Sequence, residues 1–338
     1  TYSWKVSNPI NNYGVNMNIG RYVHFGEYYE GLNGVLSMDY WVLRENLKKA
    51  HEQFKQVPIM MEAFEFWFGP YPFYEDGFKL VEVPYLGMEH QSSVTYGNQY
   101  KNGYLGRDLS QTGWGDKFDF IIIHESGREW FANNITYKDI ADMWIHESFT
   151  AYSEGLYLDY NFGKEAAREY VIGTRKNIMN DRPIIGKYDV NHSGSGDMYY
   201  KGANMLHTIR TIINDDDLWR KILTGLNETF YHQTVTTKQI EDYIIETSGF
   251  DLKPVFDQYL RNITIPELEY YIEEDFLYFR WTNCIEDFNM PVEIYNKETT
   301  LSIYPTTEWD YIEINPIDKK WRTVIDYYVT INKVKGKA

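Results

Sequence analysis

Ile121-Ile122-Ile123-His124-Glu125-Ser126-Gly127-Arg128-Glu129-Trp130-Phe131-Ala132-Asn133 is the stretch that decides the fold, together with Trp144-Ile145-His146-Glu147-Ser148-Phe149-Thr150-Ala151-Tyr152 downstream. On a helix, positions i and i+4 lie one above the other on the same face. His124 and Arg128 therefore share a face, with Glu125 beside them. Glu147 comes nineteen residues after Arg128, and the apolar spacing around it predicts a second helix over Ile140 to Leu158. The pattern sets a histidine, two carboxylates and a guanidinium on neighbouring helices.

Working outward, the period changes several times. Residues up to about 30 alternate polar and apolar among asparagines and glycines, at Trp4 to Pro9 and at Val15 to Gly20, and read as strands joined by turns. Three such strands cannot bury a core of their own. Tyr40, Trp41, Leu43, Leu47, Ala50 and Phe54 recur at helical spacing from Met38, with Pro58 as the break. A second helix, Met60 to Phe68, stops at Gly69-Pro70. Phe78 to Val83 reads as a strand, with Gly87-Met88-Glu89-His90 on a strand or its end, and residues 97 to 116 read as loop. A helix is expected from near Lys117, carrying the opening stretch. Helices follow over Lys164 to Met179, 199–213 and 215–226, with a loop at Asn180 to Asp197 before them. Thr236 and Gln239 suit a capping box for a helix through Ile245, and a short helix over Leu252 to Leu260 ends the helical run. After Pro266 the segments are short, β-branched and aromatic: Leu268 to Trp281, Val292 to Tyr295, Leu301 to Tyr304, Tyr311 to Ile314 and Val324 to Ile331. These predict an all-β sandwich module.

Bulk composition narrows the function. The chain has 338 residues, 43 % hydrophobic, which is a globular composition. Its 33 basic and 49 acidic residues give a net charge of −16, which argues against nucleic acid as a partner, since phosphate binding needs a basic surface. The single cysteine, Cys284, excludes an internal disulfide framework and a cysteine metal site. Such scarcity is compatible with an exported protein, periplasmic or extracellular, whose signal has been removed. No apolar run is long enough to span a bilayer, and no signal peptide is present. The chain opens Thr1-Tyr2-Ser3-Trp4 without methionine and reads as a piece of something longer.

Several motifs together resemble the aminopeptidase N family of zinc metallopeptidases, relatives of leukotriene hydrolase with a thermolysin-like catalytic domain. That family reads H-E-x-x-H-x-W-F-G-N and then a glutamate in an N-E-G-F-A-x-Y context. Here stand His124-Glu125, Trp130-Phe131-Ala132-Asn133 and Glu147-Ser148-Phe149-Thr150-Ala151-Tyr152. Leu86-Gly87-Met88-Glu89-His90 is similar to the family's G-A-M-E-N motif, and Tyr199-Tyr200-Lys201-Gly202 to its Y-E-K-G. The resemblance implies an α+β fold: a mostly helical catalytic domain with a small mixed sheet over residues 31–264, remnant β-saddle strands over 1–30, and a β-sandwich over 265–338. It implies one zinc ion, with His124 and Glu147 as ligands, and a peptide substrate. Glu125 would be the general base and Tyr199 the oxyanion donor. Glu89, flanked by Gly87 and Met88, would bind the free α-amine.

One position departs from the pattern. Trp130-Phe131 fix the register, so Arg128 occupies the place of the second zinc histidine. Arginine stays protonated and offers no lone pair. Two protein ligands are too few for a tight catalytic zinc site. Arg128 is therefore expected to replace the ion electrostatically, within hydrogen-bond reach of Glu147. The chain then reads as a zinc-dependent aminopeptidase impaired as written. The alternatives are an inactive relative that binds peptide N-termini in the same place, and a structural protein whose β module binds a partner.

Overall fold

The computed structural model describes residue 3 and residues 5–314 and 319–336. A five-stranded mixed sheet lies beside the site. β1 (Tyr22–Gly31) and β2 (Gly34–Leu43) form an antiparallel hairpin that turns at Gly31 and Gly34. β2 pairs in parallel with β3 (Phe78–Glu82), and β3 in parallel with β5 (Val94–Tyr96). β4 (Gly87–Met88) closes the edge antiparallel to β5. Residue 30, where the sequence suggests a division, lies inside the β1–β2 hairpin.

Three expectations are corrected here. The helix predicted from Met38 is a strand as far as Leu43. Leu36, Met38, Tyr40 and Val42 are all buried and alternate with half-buried neighbours, which is the period of a pleated strand. The helix begins only at α1 (Leu47–Gln53). Pro58 breaks nothing, since it sits in the first turn of α2 (Gln56–Phe68). The N–H that proline lacks has no intrahelical acceptor there anyway. Among the described residues 5–21 no strand forms, only a 3-10 turn at Asn12–Gly14. The backbone N–H groups of Ser7 and Asn8 donate to the Asp76 carboxylate, at 2.6 and 3.0 Å, instead of to a neighbouring strand. Trp4 lies outside the described residues.

The helical layer carries the motif. α3 (Phe120–Gly127) is capped by Asp119, whose carboxylate accepts from the N–H groups of Ile121 and Ile122. That satisfies donors which no residue inside the helix reaches. After Arg128 the chain widens into a π-helical turn through Glu129–Asn134 and kinks at Phe131 and Ala132. It then enters β6 (Ile135–Tyr137), which pairs in parallel with β7 (Gln233–Val235). This short pair escaped the sequence reading, since three residues are too few to display a period. α4 (Trp144–Phe162) is the central helix and packs on α2, α3, α5 (Lys164–Gly173) and α6 (Tyr200–Ile213). A Cβ on Gly127 would lie 2.7 Å from Ser153 Oγ, so α3 approaches α4 closely only because glycine stands there. α7 (Asp216–Thr229), α8 (Thr237–Ser248) and α9 (Lys253–Arg261) complete the layer. α8 opens with the expected capping box, Thr236 and Gln239. Among the described residues no helix is long and apolar enough to cross a membrane.

Two further sheets follow. One has the order β12-β9-β8-β14, built from β8 (Glu267–Glu273), β9 (Phe276–Thr282), β12 (Asp310–Glu313) and β14 (Thr330–Lys333). The other has the order β11-β10-β13, from β10 (Val292–Tyr295), β11 (Thr300–Ile303) and β13 (Arg322–Thr323). Leu268, Leu277, Phe279 and Trp281 of the first sheet and Val292, Ile294 and Ile303 of the second belong to the buried core. The strand expected over Val324 to Ile331 begins only at Thr330. Before it, Asp326 accepts from Arg168 at 2.9 Å and pairs with His207 at 2.8 Å. Arg175 donates to the carbonyls of Ile325 and Asp326 at 2.7 and 2.9 Å. Side chains of the helical layer thus satisfy backbone groups that a strand would have paired.

Candidate active site

Four elements converge on Arg128. His124 and Glu125 come from α3, and Glu147 from the first turn of α4. Glu89 follows β4, and Tyr199 caps α6. The guanidinium of Arg128 touches all but one of them. Nη2 lies 2.7 Å from Glu147 Oε2 and 3.1 Å from His124 Nε2. Nη1 lies 3.2 Å from Glu89 Oε1, and Nε 3.4 Å from Glu125 Oε2. The remaining residue, Tyr199, is buried beside Glu147 and Arg128, and burial, then the Glu147 charge, raises its phenol pKa against the pull of Arg128. Its ring stacks 6.2 Å from that of His124, which also stacks 4.9 Å from Phe120. The structure therefore gathers His124, Glu125, Arg128, Glu147, Glu89 and Tyr199 at one place. Gly87 and Met88 form the short strand that delivers Glu89. A Cβ on Gly87 would lie 2.8 Å from Ile121 Cγ2 and 3.0 Å from the Thr95 carbonyl oxygen, so glycine is what lets β4 lie against α3.

Burial sets the electrostatics. Glu89, Glu125 and Arg128 are 4 %, 8 % and 8 % exposed, and Glu147 is fully enclosed. Burial, together with the charges of Glu89 and Glu147, pushes the Glu125 carboxyl up to about 7 against the opposing pull of Arg128. Burial also raises the Glu147 pKa. Burial alone would depress Arg128, but Glu147, Glu125 and Glu89 hold it well above its ordinary value. His124 is pushed far down, by burial and then by Arg128, and is neutral. Its Nδ1 faces Glu154 Oε1 at 2.7 Å, and Tyr170 also donates to Glu154. The Nδ1 proton thus goes to Glu154, which leaves the Nε2 lone pair to accept from Arg128.

Sequence reasoning missed Glu154. It lies seven residues after Glu147, two turns along the same face of α4, so helical spacing held the signal. His146, beside Glu147, does not join the site: its Nε2 accepts from the Tyr137 N–H at 3.0 Å.

A zinc ion does not fit these residues. The two lone-pair atoms that would ligate it, His124 Nε2 and Glu147 Oε2, are both held by Arg128 Nη2. Among the described residues no group of three or more His, Cys, Asp or Glu side chains is arranged to hold a metal. The Arg128 contacts are also imperfect: Arg128 Nε, Glu125 Oε2 and both Glu147 carboxylate oxygens lack an aligned hydrogen-bond partner, so Arg128 holds Glu147 as an ion pair.

Residues 51–259 match the Peptidase family M1 domain. The chain belongs to peptidase family M1. Among curated M1-like relatives, a probable aminopeptidase 1 of Sulfurisphaera tokodaii is 21 % identical over 59 % of this chain and 27 % of its own length. Leukotriene A-4 hydrolase of Xenopus laevis is 22 % identical over 60 % of this chain and 34 % of its own. The chain thus spans about a quarter to a third of the curated relatives it matches. Among solved structures, aminopeptidase A of Legionella pneumophila, in complex with aspartic acid, superposes with a TM-score of 0.70. It is 14 % identical, over 94 % of this chain and 39 % of that one. An M1 zinc metallopeptidase of Deinococcus radiodurans with a Tyr-Ser-Ala substrate gives 0.60 at 17 % identity, over 77 % of this chain and 56 % of that one. These superpositions support the M1 fold: a mixed sheet, a helical layer and further small sheets.

Proposed function

We propose that this chain holds the free N-terminus of a peptide at the M1 site, with zinc-dependent removal of the N-terminal residue impaired because Arg128 has taken the place of the metal. The observation that carries the reading is the Arg128 guanidinium within 2.7 Å of Glu147 and 3.1 Å of His124. A fixed cation there competes with a dication for the same lone pairs and repels it. Glu125, the residue in the position of the family's base, then faces no activated water and is paired to Arg128 instead.

Peptide binding follows from the charge balance. Three carboxylates, Glu89, Glu125 and Glu147, surround one guanidinium and a neutral imidazole. With Glu125 ionised, above its value of about 7, the surplus is negative and buried, and Glu125 Oε2 is a buried acceptor without an aligned donor. An α-ammonium group supplies both the charge and the donors that the site lacks.

Metal analysis with an aminoacyl-nitroanilide assay tests the reading. The purified chain should hold zinc at well under one equivalent and show no chelator-sensitive hydrolysis. Calorimetry should detect binding of a short peptide with a free amine. Arg128→His should raise the zinc content towards one equivalent. A full equivalent of tightly held zinc in the unaltered chain, with hydrolysis blocked by chelator, would overturn the proposal.

A further inference from the structure

Glu129, the residue after Arg128, is fully enclosed and takes no part in the contacts around the guanidinium. It opens the π-helical turn, in which the Asn133 N–H donates to the Arg128 carbonyl, five residues back, at 2.9 Å. A buried carboxylate is costly unless donors surround it. Three do so here. The Tyr71 hydroxyl donates to Oε2 at 2.7 Å, the Ser92 N–H to the same oxygen at 3.0 Å, and Asn133 Nδ2 to Oε1 at 2.8 Å. Lys79, the cation that also acts on Glu129, is hydrogen-bonded to the Asp76 carbonyl instead.

Two of the three donors lead to Glu89. Asn133 Nδ2 also donates to the Glu89 carbonyl at 2.8 Å, so one amide bridges the two glutamates. Ser92 stands in the turn after Glu89, which the Ser93 N–H closes on the His90 carbonyl at 2.9 Å, and its φ is 57°. A non-glycine residue keeps left-handed backbone only where its surroundings impose it. The Ser92 side chain imposes nothing, since its buried Oγ lacks an aligned partner. Its N–H, bound to Glu129, is what holds it. Arg128 takes the other end of Glu89, Nη1 to Oε1 at 3.2 Å. Consecutive residues therefore grip the carboxylate and the main chain of Glu89.

We propose that Glu129 is a positioning residue, which fixes where the Glu89 carboxylate stands by holding the Ser92 N–H and, through Asn133, the Glu89 carbonyl. Glu129 touches no ligand itself. The inference rests on the reading of Glu89 as the acceptor for a peptide α-ammonium. A binding group has to be kept within about 0.5 Å of its productive place by supporting contacts of this kind.

Calorimetry with a short free-amine peptide on the unaltered chain, Glu129→Leu, Glu89→Ala and the double variant separates positioning from general stability. Glu129→Leu keeps most of the volume and leaves Ser92 and Asn133 without their acceptor. It should weaken binding about tenfold or more. In the Glu89→Ala chain, followed at higher peptide concentration, the same substitution should change affinity by less than about twofold, because no carboxylate is left to place. Glu129→Gln should bind within about threefold of the unaltered chain, since Oε1 already faces both Asn133 and, at 3.3 Å, Ser92. Thermal melts show which variants fold. If Glu129→Leu does not, Asn133→Ala, which removes the bridge to the Glu89 carbonyl, replaces it with the same expected outcomes. Equal weakening by Glu129→Leu in both backgrounds, or a folded Glu129→Leu that binds as the unaltered chain does, overturns the positioning role while the reading of Glu89 stands. If the unaltered chain binds no peptide, or Glu89→Ala binds as tightly as it does, that reading falls and the positioning role falls with it.

Discussion

Arg128 Nη2 lies 2.7 Å from Glu147 Oε2, so the cation that balances this buried carboxylate is covalently part of the chain at the end of the facing helix. This contact joins α3 to α4 where both are buried. It also ties the charge state of the site to the integrity of the helix pair. A metal can be removed from such a place by chelation, whereas a guanidinium on the chain can be removed only by mutation or unfolding.

Stability should therefore respond to pH through the buried acids. Glu125 and Glu129 are both pushed to about 7 from 4.5, chiefly by burial. An acid whose pKa is higher in the folded state binds its proton more tightly when folded. Each contributes stability that is complete below the unfolded value and is lost as pH rises through the folded one, at up to about 1.4 kcal/mol per pH unit per proton. Asp76 and Asp216 act oppositely. Although burial alone would raise them, hydrogen bonds from Ser7 and Asn8 (Asp76) and from Arg210 and Lys164 (Asp216) lower both pKa values, so their share of stability is lost on acidification. The urea midpoint should peak near pH 5 and decline towards pH 8. Glu129→Gln should flatten part of that decline, and an unchanged slope would contradict the assignment.

Gly87 is expected to tolerate no side chain. An added methyl would meet Ile121 Cγ2 at 2.8 Å and the Thr95 carbonyl oxygen at 3.0 Å, neither of them the end of a long flexible chain. Overpacking of this kind costs about 1–3 kcal/mol. Relief by moving β4 outward would also carry Glu89 away from Arg128. Gly87→Ala should lower the urea midpoint and weaken peptide binding together; a loss of stability with unchanged binding would show that β4 does not position Glu89.

Asp326 holds the loop before β14 against the helical layer. It takes one hydrogen bond from Arg168 and one from His207, and Arg175 grips the adjoining carbonyls. Hydrogen bonds to charged groups are worth about 1.5–3 kcal/mol each. Asp326→Ala should destabilise the chain by an amount of that order and speed amide exchange across 324–330. Protection unchanged in that segment would mean the contacts are incidental.

The site was legible in the sequence because its parts carry local signals. Arg128 could be placed by Trp130-Phe131, and its approach to Glu147 followed from the family resemblance, which puts both at one metal position. The capping box of Thr236 and Gln239 was equally local. What escaped notice depends on distant partners. Met38 to Leu43 carries apolar residues at spacings that suit either a helix or a strand, and pairing with β1 and β3 decides it. The loop around Asp326 resembles a strand until Arg168, Arg175 and His207, more than a hundred residues earlier, supply its partners.

Removing the guanidinium gives the most direct test of its role as a built-in counter-ion. In Arg128→Ala, Glu89, Glu125 and Glu147 would remain buried with no cation among them. Breaking a buried ion pair from one side costs about 3–5 kcal/mol, because the surviving charge is left uncompensated. The variant should be least stable at high pH, where Glu125 and Glu147 are ionised, and should recover as pH falls and they take up protons. Free guanidinium at millimolar concentration should then rebind the vacated space. At ten times its dissociation constant it would restore about 1.4 kcal/mol. The melting temperature of Arg128→Ala should rise with added guanidinium chloride relative to the same concentration of sodium chloride, and that of the unaltered chain should not. Equal responses of the two proteins to both salts would show that Arg128 fills space there without serving as the counter-ion.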